Sequence, residues 1–396
     1  MTFRIIPTAG TSVTLADLAH AAVAKAGAVR EFEETLATVL RVQYVSCAGS
    51  ATAAMYYILL AMKRLTADPW RNEVVLPAYT AGAPALAIMR AGLVPRLAEV
   101  SLASFNAEPD NFMEAVGERT LAVVPTSLFG IPVDAGRLRA MLPSDVFVLE
   151  DAAQSMGSAL DGRATGTMGD AGVVSFQRGK NMSTYSGGVA LTDREDIAAL
   201  VAHHAGAAHR PGPLDTAAEA AKLALVSAVV CPSVYGLAHR LVAPLKSTGL
   251  HEGFRDSAYT PFQAGVGLRL LARLDTLSKE RAEKGMYLIS ALSGLGGITT
   301  PALPAGSSVA FAHFPLLVSD EARIERIQER LLRAGMETSR FYMKPLQQMM
   351  DLGYSPDPDP YPDATYLARH LLLIPVHHYS GMDMLEEAAR VIKETA

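Results

Sequence analysis

VFVLEDAAQSMGSALDGRATGTMGDAGVVSFQRGK, Val146 to Lys180, contains two short apolar runs that each end in reactive side chains. The runs VFVL and GVV are continuous rather than alternating. That is the pattern of strands buried on both faces, as in a mostly parallel sheet covered by helices. Glu150 and Asp151 stand at the end of the first run. Ser175 closes the second, and Lys180 lies five residues on. In open α/β sheets ligands bind at the carboxyl ends of the strands, so both groups lie where a site belongs.

The same alternation continues outward from this stretch. Upstream, DAGRLRAML reads as a helix before VFVL, and DNFMEAVGERTLAVV gives helix, then strand. Further back, EVVLP, a helix near Ala83 to Ala91 and VPRLAEV repeat the pattern. A short VQYV is followed by CAGSATAAMYYILLAMKRL, a tight turn that opens a helix, and helical spacing also runs through Leu15 to Leu40. Downstream, Gly187-Gly188 marks a turn before a last strand, GVALT. Short β-branched strands alternating with helices predict an α/β fold, a mostly parallel mixed sheet sandwiched by helices.

After about residue 245 the texture changes. A long helical pattern covers Pro261 to Leu292; SVAFAHFPLLV and METSRFY read as strands around a helix, EARIERIQERLLRAG, with a glycine stop; MDMLEEAARVIKE ends the chain as a helix. The expected organisation is a large domain over 1–245, with an apolar insertion at about 206–245, and a smaller C-terminal α+β domain over 246–396. The proline-rich YSPDPDPYPD should be a surface loop.

Composition narrows the function classes. Half of the 396 residues are apolar and 19% are charged, which suits a protein with a large core. A net charge of −5 provides no basic field for nucleic acid or an anionic membrane. Cys47 and Cys231 cannot build a disulfide framework and fit no metal-ligand spacing, so a reducing cytoplasm is the expectation. The N-terminus lacks the apolar stretch of a secretory signal. LALVSAVVCPSVYGLA, Leu223 to Ala238, is uncharged but too short for a span and is interrupted by Pro232. Its favoured reading is a buried helical hairpin or subunit-interface element, with contact to a membrane or lipid-like substrate as the lesser one.

Three places carry chemistry. Asp151 ends a buried strand, where a carboxylate needs a cationic partner; a plain helix cap is the alternative. Gly49, Ser50 and Ala51 open a helix whose free N–H groups can hold a phosphate; simple capping is the alternative there. Lys180 becomes a nucleophile if burial lowers its pKa; otherwise it is a surface lysine. Together they offer a phosphate cradle, an acid for a pyridinium nitrogen and an amine for an aldehyde. Those are the needs of pyridoxal 5′-phosphate.

At this point the motif order resembles the DegT/DnrJ/EryC1/StrS family of sugar aminotransferases, of the fold type I pyridoxal-phosphate transferases. The resemblance runs from about Thr14 to the end and is strongest in GSATAA, VVLPAYTAGAPALAIMRAGLVPRLAEV, VLEDAAQSMGSALDGRATGTMGD and SFQRGKN. It implies that Lys180 is the catalytic Schiff-base lysine, that Asp151 pairs with the pyridine nitrogen and that Gln154 lies near the phenolic oxygen. Ser175 binds the phosphate, with Gly49, Ser50 and Ala51. It also implies a homodimer with active sites completed by the neighbouring subunit.

The expected activity moves an amino group from a small-molecule donor, glutamate or glutamine, to a keto-sugar, nucleotide-linked by analogy. Four positions depart from the family pattern. Tyr185-Ser186-Gly187-Gly188 replaces G-E-G-G, Ala81 follows Thr80, Ser127 precedes Leu128-Phe129-Gly130, and Gly253 stands before Phe254-Arg255. Tyr185-Ser186 and the insertion motivate one rival, a ketone that is lipid-linked or otherwise not a sugar; a non-catalytic relative is a second, against which the retention of Lys180, Asp151, Gln154 and Ser175 argues. His203-His204, His209 and His377-His378 read as surface or packing groups, and Asp351, Asp357 and Asp359 as solvated charge. Arg340 and Tyr342 are open between substrate and structural roles.

Overall fold

The structure, a computed structural model, describes residues 4–10, 13–242, 253–254, 256–353 and 359–395. Seven strands form the main sheet: β1 (Tyr44–Ala48), β2 (Glu73–Pro77), β3 (Val94–Ala98), β4 (Thr120–Val123), β5 (Phe147–Asp151), β6 (Ala171–Ser175) and β7 (Gly188–Thr192). Their order across the sheet is 1-7-6-5-4-2-3, and β7 alone runs against its neighbours. Every residue of β4 to β7 is buried, so the continuous apolar runs mark strands covered on both faces. The fold is thus the mostly parallel mixed α/β sheet that the alternation predicts.

Local signals set the helix boundaries. Thr14 and Asp17 form a capping box at the start of α1 (Leu15–Ala22), and the pattern resumes in α2 (Ala28–Leu40) after a break at Gly27. Ser50 caps α3 (Ala51–Leu65). The inserted helices are α4 (Pro213–Val229) and α5 (Pro232–Val242). The long pattern from Pro261 also divides, into α6 (Pro261–Leu271) and α7 (Leu274–Leu292). The break lets the two serve different partners: α6 packs on α1 and α2, whereas α7 packs on the last helix, Met382–Glu394. Buried Asp17 ties this corner together by pairing with Arg273 (2.7 Å) and Arg269 (3.3 Å).

A second, antiparallel sheet lies towards the C-terminus, with β8 (Ile298–Thr299), β9 (Phe314–Val318) and β10 (Leu371–Ile374) in that order. METSRFY is not a strand of it. Met336 and Ser339 make only isolated bridges, to Ile6 and Leu373. The expected boundary at 245/246 falls outside the described residues, as does Asp357 in the proline-rich loop. One apolar cluster runs from the main sheet into the second, and another is built on Phe32, Phe176 and Tyr259, whose rings lie 5.5–6.1 Å apart.

The inserted segment corrects the buried-hairpin half of one expectation and leaves the subunit-interface half untested. It is helical, and Pro232 starts α5 at an 88° bend from α4. It is not buried within the chain, however. Leu223 and Tyr235 are covered, while Leu214, Leu225 and Leu237 are 86%, 64% and 73% exposed. Among the described residues no single helix is long and apolar enough to cross a membrane.

Candidate active site

Adjacent strand residues face opposite sides of a sheet, so Glu150 and Asp151 part at the end of β5. Glu150 accepts hydrogen bonds from the backbone N–H groups of Gly166 (2.9 Å), Gly169 (2.7 Å) and Met168, and so folds the 166–169 turn against the strand. Asp151 is 6% exposed, and its Oδ1 accepts from the Ala153 N–H at 3.0 Å. Burial pushes its pKa up, opposed by the Ala153 bond and by the charge of Lys180. Burial pushes the Lys180 amine down, opposed in turn by Asp151. The two are close enough to influence each other's ionisation, although they come from different strand ends.

Gln154 lies on the same side, its Oε1 accepting from the Phe129 N–H at 3.2 Å. Tyr342 is buried near Asp151, and its phenol is held protonated first by burial and then by the Asp151 charge. Tyr342 therefore belongs with the site. The Arg340 guanidinium donates to the carbonyl of Arg369.

Ser175 ends β6 opposite Gly188 in register. Its Oγ accepts from the Gln177 N–H at 3.3 Å. Gly187 pairs with Ser50, which brings the start of α3 against this strand pair. Ser50 Oγ caps Ala53 N–H at 3.1 Å, and the N–H groups of Ala51 and Thr52 have no intrahelical acceptor. Glycine is required where the chains meet. A Cβ on Gly188 would lie 2.4 Å from Ala51 N, and one on Gly49 would lie 2.1 Å from Ser257 Oγ. Gly187 has φ +106°, and its Cβ would lie 2.2 Å from the Tyr259 ring. A hydroxyl, a helix N-terminus and closely packed glycines thus lie together at the ends of β6 and β7.

Other residues join Lys180 from remote parts of the chain. Gly10, Asn181, Ser183, Leu277, Glu280, Arg281 and His378 line a cavity with it. Arg281 donates to the carbonyls of Phe311 (2.9 Å) and Ala312 (3.0 Å), and burial lowers its pKa to about 10. His378 is lowered to about 4 by burial and then by Arg281, so it lines the cavity as a neutral ring rather than serving as a surface group. His313 is lowered to about 3 by the same two causes, and its Nε2 must carry the proton because it donates to the Thr8 carbonyl at 3.0 Å. His377 packs inside, with Nε2 on the Pro7 carbonyl at 2.9 Å. No local signal in the sequence unites these segments. Among the described residues no group of three potential ligands could hold a metal ion.

Two of the departures from the family pattern touch this site: Ser186 precedes the Gly187–Ser50 pairing, and Ser127 meets Asp151. Ser127 N–H donates to the Asp151 carbonyl at 3.0 Å. Ala81 precedes the helix Gly82–Arg90 without a side-chain cap. Gly253 is exposed, a Cβ there would meet no atom of the described residues within 4 Å, and Arg255 lies outside the described residues. Ser257 is the residue of that segment that meets Gly49, through a 2.7 Å bond from the Gly49 N–H to its carbonyl.

The fold has counterparts among solved structures. The fold matches the aminotransferase TlmJ of Streptoalloteichus hindustanus with a TM-score of 0.79 at 23% identity, over 99% of this chain and 98% of that one. That likeness gives the class, an aminotransferase fold. Residues 14–395 match the DegT/DnrJ/EryC1/StrS aminotransferase family, and the chain belongs to it. The spore coat polysaccharide biosynthesis protein SpsC of Bacillus subtilis is 28% identical over 319 residues, 79% of this chain and 73% of its own length. GDP-perosamine synthase of Escherichia coli O157:H7 is 28% identical over 190 residues, 47% of this chain and 51% of its own length.

Proposed function

We propose that this aminotransferase uses pyridoxal 5′-phosphate to move an amino group from glutamate or glutamine to a nucleotide-linked keto-sugar. The observation that carries the cofactor is the Lys180–Asp151 pair: an amine with a lowered pKa and a buried acid that feels its charge. The residues present fit the group. A buried acid would otherwise lack a full counter-charge, and Gly49, Gly187 and Gly188 leave a cradle that side chains would fill. Bound there, the cofactor would supply an aldehyde to carry nitrogen and a ring to accept an electron pair.

Lys180 would hold the aldehyde. Its Nζ, with burial disfavouring the charged form, is suited to accepting and returning a proton at the substrate carbon. Asp151 would keep the ring nitrogen protonated, with Ala153 fixing the carboxylate's orientation. Ser175 and the N–H groups after Ser50 would take the phosphate, and Gln154 the ring oxygen. The names of SpsC and GDP-perosamine synthase support a sugar acceptor.

A single-turnover panel tests the substrates. The enzyme is first charged with each amino acid and then offered nucleotide-linked keto-sugars and other ketones. Discharge by a keto-sugar is the expected result, and failure of every one overturns the sugar. The exposed leucines of α4 and α5 favour one second reading, a lipid-linked ketone. Discharge only by a ketone carried on a lipid in vesicles would select it.

A further inference from the structure

The insertion reaches back into the turn that forms the cradle. Ser186 stands where the family pattern has a glutamate, immediately before Gly187 and Gly188. Its Oγ donates to Glu219 Oε1 at 3.1 Å, and Glu219 belongs to α4. The same Oγ accepts from Gln263 Nε2 at 2.8 Å, and that nitrogen also reaches the Ser186 carbonyl at 3.2 Å. Gln263 is held in place because its Oε1 accepts from the N–H (2.9 Å) and hydroxyl (3.0 Å) of Thr260. Thr184 Oγ1 donates to the Ser186 carbonyl at 2.7 Å.

The direction of these bonds is fixed by the donors. Gln263 Nε2 can only donate, so the single hydroxyl proton of Ser186 points to Glu219. A chain of bonds ending on a carboxylate is stronger than its neutral counterpart, because each bond polarises the next. It holds the residue from which the backbone passes into the Gly187–Ser50 pairing and the Gly188–Ala51 contact.

We infer that Glu219 supplies, from the inserted helix, the carboxylate that the turn itself lacks, and that it acts as a positioning residue for the phosphate cradle. The insertion is then a support of the active site. The consequence for ligand binding rests on the cofactor reading above; the consequence for the turn does not.

The test uses the full chain as wild type, E219A, S186A and the double variant E219A/S186E. Hydrogen exchange is measured at the amides of Tyr185–Gly188 without cofactor, and pyridoxal phosphate affinity is measured by absorbance. E219A and S186A should each speed exchange in the turn and weaken affinity about tenfold, the effect of losing one hydrogen bond to a charged group. S186E should restore both in the E219A background, since a carboxylate at 186 would accept directly from Gln263 Nε2 and return a negative charge to the turn. Rescue separates positioning from a general loss of stability. Wild-type exchange in both E219A and S186A, or a double variant no better than E219A, overturns the inference. If wild type takes up no pyridoxal phosphate, the cofactor reading fails, while the exchange measurements still decide the role of Glu219.

Discussion

Replacing Gly188 by alanine should weaken the hold on the phosphate while leaving the chemistry at Lys180 intact. The new Cβ would lie 2.4 Å from Ala51 N, 2.5 Å from Ala51 Cα and 2.8 Å from the Val174 carbonyl oxygen. All three are backbone atoms, so no side chain can rotate away. Ordinary contact begins near 3.4 Å, so β7 and the start of α3 must part by about 1 Å. Overpacking of this kind costs about 1–3 kcal/mol. A phosphate spanning Ser175 and the α3 N-terminus then loses its distance to one wall. Losing one hydrogen bond to a charged group removes about 1.5–3 kcal/mol, or about ten- to a hundredfold in affinity. Absorbance titration with pyridoxal phosphate and urea unfolding of the cofactor-free protein measure both effects. Gly117→Ala is the control, since a Cβ added there would meet nothing within 4 Å. A Gly188→Ala protein that matches wild type in both affinity and stability would refute the cradle.

Asp151→Asn removes the charge that raises the Lys180 pKa, so acylation of Lys180 in the cofactor-free protein should shift to lower pH; an unchanged profile contradicts the pairing. Glu150→Ala strands three backbone N–H groups at Gly166, Met168 and Gly169 and should destabilise by about 3 kcal/mol in urea unfolding. Asp17→Asn should cost about 2 kcal/mol at neutral pH. Burial raises the Asp17 pKa, but the bonds to Thr14 and Arg273 outweigh it, and the net value is lowered below 3.8. Its contribution is therefore present above that ordinary value and lost as pH falls through the lowered one, so the gap between wild type and variant should close in acid. A gap that does not narrow in acid unfolding series contradicts the ion pairing.

The strands were legible because a strand buried on both faces must be apolar throughout, and β5 and β6 are. Asp151, Ser175 and Lys180 were legible because each follows such a run. Gln154 was found through family resemblance; Gly49 and Gly187-Gly188 were read as turn residues, and the contacts that explain Gly188 and Gly49 appear only in three dimensions. Helical periodicity could not locate the breaks near Gly27 and Ala272, since it reports that residues avoid water but not which neighbour covers them. The same limit explains the insertion: its apolar composition suggested burial, yet Leu214, Leu225 and Leu237 face outward. Gly10, Arg281 and His378 come from three distant segments, and nothing local to any of them points to Lys180. Tyr342, undecided from sequence, is placed by its nearness to Asp151.

The central claim is that Lys180 carries an aldehyde cofactor with Asp151 facing it. Borohydride reduction of the wild-type protein loaded with pyridoxal phosphate, followed by peptide mapping, addresses it directly. The account predicts a phosphopyridoxyl group on Lys180, absent in Lys180→Ala. An adduct on other lysines with Lys180 unmodified, or no adduct at saturating cofactor, would contradict it.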